Sequence, residues 1–315
     1  MRKVTKIFTN TVSSILLLLI LLPIFAALLL SIPNVQNRAV QFATDFATEK
    51  LGAKVSMEHI TIGMLNHIKV RGFYVEDLDR DTLLYAESLV ARIGPLAAMK
   101  EGFVISSAKL SNGLLHLRET ERGKINIKEI TEKITGSDRE RTSTFVLRIN
   151  TIDADNVQFR LQQRDRRATE ERGVNYDDMN LMGIKTHIDD FYVSHGAVGG
   201  DIASLSFTEE SGFVLDNLSG IFSVDNGMIA LADVEITSAE SYVNMPSLFL
   251  TGDGWDSYHD FINKVRMNIN IEKSSVTSDM VGYFAPTLRG WDTTISDATL
   301  SISERFLFHS QRRQE

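Results

Sequence analysis

From Val12 to Ile32 the chain carries no charged residue, and only Ser13, Ser14, Pro23 and Ser31 interrupt the apolar side chains. At about 1.5 Å per helical residue the stretch reaches roughly 30 Å, the depth of a bilayer's hydrocarbon core. It predicts a membrane helix over 12–32, an anchor that includes Val12, Leu18, Phe25 and Leu30. Leu28–Leu30 stand where a cleavable signal would need small residues, so the pattern favours a retained anchor. Beyond it, Val35, Ala39, Phe42 and Phe46 recur at three- and four-residue steps, with Asn34 placed to cap and Gly52 to stop. This predicts an amphipathic helix within 33–52. Its other face, Gln36, Asn37, Gln41, Asp45 and Glu49, is poor in Lys and Arg. Such a helix can lie along a membrane surface, plug the end of the domain behind it, or pack on that domain's core.

After Lys54 the period changes from 3.6 to 2. Val55 and Met57, Ile60 and Ile62, Ile68 and Val70, then Leu89, Ala91 and Ile93, and later Leu115 and Leu117, alternate with polar or small neighbours. These are half-buried strands. Parity slips at Glu58-His59 and at Gly72, where a bulge or strand break lets a sheet curl. Asp79-Arg80-Asp81, Gly94-Pro95, Ser111-Asn112-Gly113 and Arg122-Gly123 read as turns. Asn126 and Glu129 have capping-box spacing, and Ile127, Ile130 and Ile134 share a face, which predicts a short helix over 126–135.

The polar stretch 137–144 separates a first β segment, 53–136, from a second, 145–303. Alternation resumes at Phe145, Leu147 and Ile149, then at Val157, Phe159 and Leu161, and short strands repeat through Ile184, Leu205, Phe222, Ile236, Leu248 and Ile271. That spacing fits sandwiches, barrels and elongated β structures. Residues 304–315 read as an irregular tail. The fold expected is mainly β: a membrane helix and an amphipathic helix, then an elongated, antiparallel-rich sheet with short helices.

Composition narrows the function classes. Arg2, Lys3 and Lys6 precede the apolar run, so residues 1–11 are expected in the cytoplasm and the bulk of the chain across the membrane. The net charge of −8 argues against nucleic acid as a partner. There is no cysteine, which removes disulfides, thiolate metal sites and cysteine nucleophiles. The seven histidines fall at no metal-ligand spacing, and no P-loop, G-x-S-x-G or G-x-G-x-x-G occurs. His195–Gly200 reads as a flexible turn. The pairs Asp177-Asp178, Asp189-Asp190 and Glu209-Glu210 are read as solvated turn or strand-edge charges, since neighbours on a strand point to opposite faces. No enzyme, cofactor or metal is indicated.

The order of the elements, and their local wording, carries a resemblance. Behind the anchor and helix stand Gly52-Ala53-Lys54-Val55, Ile60-Thr61-Ile62, the run Ile68–Asp77, Thr82-Leu83-Leu84-Tyr85-Ala86 and Val90-Ala91-Arg92-Ile93, followed by Gly123-Lys124-Ile125-Asn126-Ile127. In the second half come Phe207–Phe213, Ile236–Ser241 and Ser278–Pro286. Over about residues 1–290 the chain resembles the N-terminal part of the AsmA-like envelope proteins, most closely the TamB-type translocation-and-assembly-module group of Bacteroidetes-type bacteria.

The resemblance implies an inner-membrane-anchored periplasmic protein whose strands form a curled, taco-shaped groove with an apolar floor. Phospholipid is the implied cargo, carried towards the outer membrane, and an outer-membrane barrel assembly partner is implied as well. Val55, Ile60, Ile62, Ile68, Val70, Leu89, Ile93, Leu115, Leu117, Val157 and Phe159 would then line the groove, each buried methylene of an acyl chain contributing about 0.8 kcal/mol. Read from alternation alone, the same residues equally make a closed sandwich core. That alternative predicts an anchored structural or interaction module, binding a glycan or protein, with Trp255, Tyr258 and Trp291 forming an exposed patch. Members of the resembled group are several times longer, so a truncated chain lacking the domain that meets the outer membrane is the further expectation.

Overall fold

The computed structural model describes residues 44–45, 48–49, 52–63, 67–93, 103–127, 129–130, 146–163, 173–175, 177–194, 197–225, 227–239, 241–254, 257, 261–284 and 295–304. The predicted anchor, with Val12, Leu18, Phe25 and Leu30, lies outside them, as do Trp255, Tyr258, Trp291 and the tail beyond Glu304. Among the described residues no helix is long and apolar enough to cross a membrane. Of the predicted 33–52 helix, Thr44, Asp45, Thr48 and Glu49 are helical; Gly52, at φ 63°, ends it by donating its N–H to the Thr48 carbonyl at 2.8 Å.

The strands are β1 (Val55–Ser56), β2 (His59–Gly63), β3 (His67–Glu76), β4 (Thr82–Ile93), β5 (Phe103–Arg118), β6 (Val146–Gln162), β7 (Asp178–Ser194), β8 (Ala197–Glu209), β9 (Val214–Asp225), β10 (Met228–Ser238), β11 (Ser241–Thr251), β12 (Arg266–Val276) and β13 (Ile295–Glu304). All thirteen belong to one sheet. From β3 to β13 the spatial order is the sequence order, with β1 and β2 both paired to β3. The sheet is curled but not closed. Two short helices, α1 (Phe261–Lys264) and α2 (Ser278–Phe284), flank β12.

Every pairing is antiparallel except β5 with β6, which run parallel. A parallel pair cannot be joined by a tight turn. The connection contains a helical turn with Asn126, Ile127, Glu129 and Ile130, which agrees with the start of the predicted 126–135 helix. Residues 137–144 lie outside the described residues, but the two predicted β segments on either side share one sheet through this parallel pairing.

Burial shows how the sheet bends. In β3 the inward positions run Ile68, Val70, then Phe73, Val75; in β7 they run Leu181, then Ile184, Thr186, Ile188. β3, β5, β6 and β7 each make a three-residue step at the same level, where Gly72 (φ 59°), Asn112 (φ 50°), Asn156 (φ 53°) and Gly183 (φ 61°) adopt the left-handed region. Asn156 Nδ2 donates to Asn112 Oδ1 at 2.7 Å, and Asn112 Nδ2 to Glu87 Oε2 at 2.5 Å, stitching this crease across neighbouring strands. Ser111-Asn112-Gly113 is therefore no turn: it lies inside β5. The left-handed conformation that Asn and Gly favour serves an in-register crease here instead of a hairpin. Likewise Gly199 and Gly200 lie inside β8 and not in a turn. A Cβ on Gly199 would sit 2.6 Å from the Tyr192 hydroxyl oxygen, so the missing side chain leaves room for the ring of the neighbouring strand.

Candidate functional site: the apolar face of the sheet

Three buried clusters lie along one face. The largest joins Val55, Ile68, Val70, Phe73, Val75, Leu84, Leu117 and Leu161 to Ile127 and Ile130 of the crossover turn. The turn is pinned by polar contacts at its rim. Asn126 Nδ2 donates to the His116 carbonyl at 3.0 Å and to Asp77 Oδ2 at 3.2 Å. Arg118 Nε pairs with Asp77 at 2.8 Å, and Arg122 bridges Glu129 and Asp79. Burial pushes the Asp77 carboxyl up, but the hydrogen bonds from Arg118, the Asp81 backbone and Asn126, with the Arg118 charge, outweigh it and hold the pKa below the usual value.

The predicted lining residues are largely brought together in this cluster. Val55, Ile68, Val70 and Leu117 are fully buried in it, and Ile60, Leu89, Ile93, Leu115 and Phe159 pack against it half-buried. Val157 is half-buried and stands outside the cluster, and the Ile62 side chain lies outside the described ones. The four buried positions are already covered by protein. Room for a ligand lies further along the same face.

Across β9–β12 the apolar face carries a half-buried ladder, set apart from Leu215, Val234 and Met245, which are buried. Phe222 pairs with Leu231, Leu231 with Leu248, Leu248 with Ile269 and Ile269 with Ile302. Beside them run Val224, Ile229, Leu250 and Met267. All but Ile302, whose burial is not described, are half-buried. On the opposite face Ser223, Ala230 and Asn268 form one small or polar row with the exposed Phe249, and Ile221 and Met228 are exposed on that face as well.

Charge is divided between the two faces. Lys69, Arg71, Lys109, Arg148, Arg160 and Lys185 each alternate with apolar-face neighbours and so point away from that face. In β8, however, Leu205, Phe207 and Glu209 fall in one phase, and Glu209 is only 3% exposed. Glu209 is thus no solvated strand-edge charge. Its exposed neighbour Glu210 accepts from Asn180 Nδ2 at 2.9 Å. The carboxylate of Glu209 accepts from the Ser211 N–H at 2.9 Å, from Ser211 Oγ, and from the Tyr283 hydroxyl on α2. Burial, and then the hydrogen bond to Glu209, push the Tyr283 phenol well above its ordinary pKa.

α2 reaches this point by folding from the end of β12 back over β8–β10. Tyr283 stacks on Phe213 at 4.8 Å between ring centres, Phe284 meets Phe213 edge-on at 5.0 Å, and Met280, Leu205, Leu218 and Ile236 pack against the cluster of Phe213, Leu215 and Tyr283. The Tyr283 carbonyl accepts from the Val174 N–H at 3.1 Å. Beneath the helix lies a cavity of about 600 Å³, lined by Ser211–Val214, Ser238, Ala239, Thr277–Met280 and Tyr283. Sequence reading missed Glu209 and Tyr283 as site residues. The signal for Glu209 was its phase with Leu205 and Phe207; nothing local connects it to Tyr283.

Among the described residues no group of three or more His, Asp or Glu converges on a metal-sized point. No protein-family model matches the chain, and no curated protein matches it.

Proposed function

We propose that this chain is an inner-membrane-anchored, periplasmic envelope protein of the AsmA/TamB-like kind. It offers the apolar face of its sheet to phospholipid in transit towards the outer membrane or to an outer-membrane assembly partner. The observation that carries the reading is the ladder Phe222, Leu231, Leu248 and Ile269: apolar, continuous across neighbouring strands, and only half-covered in a single-layer sheet. In an ordinary sandwich a second sheet about 10 Å away covers such residues. A curled sheet that leaves them open fits acyl chains, whose burial is favourable at about 25 cal/mol per Å² and needs no reaction. The order of anchor, amphipathic helix and strands in the sequence supports the membrane setting.

Mass spectrometry of lipids that co-purify with the full chain in mild detergent, against an unrelated β protein handled identically, tests the reading. Stoichiometric phospholipid is expected, falling to background in the double variant Leu231→Asp, Leu248→Asp while the near-native circular dichroism is kept. Background lipid on the folded wild type would overturn lipid carriage and leave an anchored structural or interaction module.

A further inference from the structure

We infer that the cavity under α2 seats the head group of the lipid, and that it selects heads bearing ammonium or hydroxyl donors with no net negative charge. The inference rests on the lipid-binding reading above and adds which lipid. The cavity lies between the β8–β9 turn, the β10–β11 turn and α2, at the edge where β9 and β11 begin and β10 and β12 end. A head held there lays its chains along β9 and β10. At about 600 Å³ the space falls within the roughly 300–1,000 Å³ of small-molecule sites.

Its chemistry is acceptor-rich and acidic. Ser211, Ser238, Thr277 and Ser278 bring hydroxyl groups, and Phe213 and Met280 bring apolar wall. Asp279 stands exposed at its lining, while Glu209 lies buried directly behind Ser211 and Tyr283. The flanking charges are acidic too: Asp216 accepts from the Ala239 N–H at 2.7 Å, and Glu210 borders the turn. Among the described residues neither Lys nor Arg lines the cavity. The basic side chains named above in β3, β5, β6 and β7 alternate onto the opposite face. An anionic head entering here meets the Asp279 carboxylate with no lining cation among the described residues to offset it, whereas an ammonium or hydroxyl donor finds partners.

The full chain in mild detergent is incubated with vesicles of equal phosphatidylethanolamine and phosphatidylglycerol, re-purified, and its bound lipid quantified by class. Phosphatidylethanolamine is expected in about fivefold excess, the upper end of what an exposed charge pair supplies. Asp279→Asn, at an exposed position, is expected to bring the ratio towards one; Glu209→Gln acts in the same direction. Equal capture, an excess of phosphatidylglycerol, or a ratio unmoved by Asp279→Asn overturns the inference and leaves lipid carriage standing. Absence of both lipids overturns both.

Discussion

On the face opposite the ladder, His187 lies between two carboxylates, with Nδ1 2.7 Å from Asp153 Oδ1 and Nε2 3.3 Å from Asp189 Oδ1. The hydrogen bond to Asp153, then the charges of both partners, raise its pKa above the ordinary 6.5. A raised folded value stabilises the fold fully below the unfolded value, and the contribution is lost as pH rises through the folded value. The stability difference between wild type and Asp153→Asn should therefore shrink as pH climbs past 6.5, with the His187 proton resonances titrating above that value in the wild type. A difference independent of pH would count against the pairing. Asp77 has the opposite sign. Its depressed value gives stability present above about pH 4 and lost as pH falls through the folded value. Arg118→Met leaves that buried carboxylate without its cation, and a loss of about 3–5 kcal/mol in urea unfolding is expected. A loss under about 1 kcal/mol would show that Asn126 and the backbone suffice.

At the scale of elements, the crease explains how β3–β6, whose pairing stays in register through it, turn their apolar side chains the same way before and after the bend. Asn112 and Asn156 occupy it without being glycine, because Asn tolerates the left-handed region. Gly183 has φ 61° and nothing within 4 Å of an added Cβ, so backbone conformation alone is at stake there. Gly183→Asn should unfold close to wild type, and Gly183→Val should lose about 1–2 kcal/mol, as measured by denaturant midpoint. Equal losses in the two variants would mean that packing and not φ sets the cost. The crossover turn is the second decisive element: Ile127 and Ile130, each 0% exposed, close one end of the apolar face and convert predicted groove lining into core.

For the whole molecule, one sheet with clusters concentrated between β1 and β9 implies uneven stability. The largest cluster draws on β1 and β3–β6 with the crossover turn, whereas the ladder of β10–β12 is only half-buried among the described residues. Hydrogen exchange read by mass spectrometry should find the slowest amides in β3–β6 and faster exchange through β10–β13, since opening costs least where few apolar contacts are buried. Uniform protection along the sheet would argue that the ladder is covered by something bound.

Alternation by itself determined that the chain after Lys54 is β, which residues share a face within each strand, and that parity breaks at Gly72, because side chains on a strand must point to opposite sides. The Asn126–Ile130 turn was legible for a similarly local reason, its cap and three-residue spacing. Tertiary structure decided the rest. A pattern of period 2 is the same for a packed core and an open face, so only the crossover turn and α2 settle which apolar positions are covered. Asn112-Gly113 reads as a hairpin until neighbouring strands place the same conformation in register. Glu209 and Tyr283 are 74 residues apart, and their meeting depends on α2 folding back across three strands, a long-range contact that no local pattern encodes.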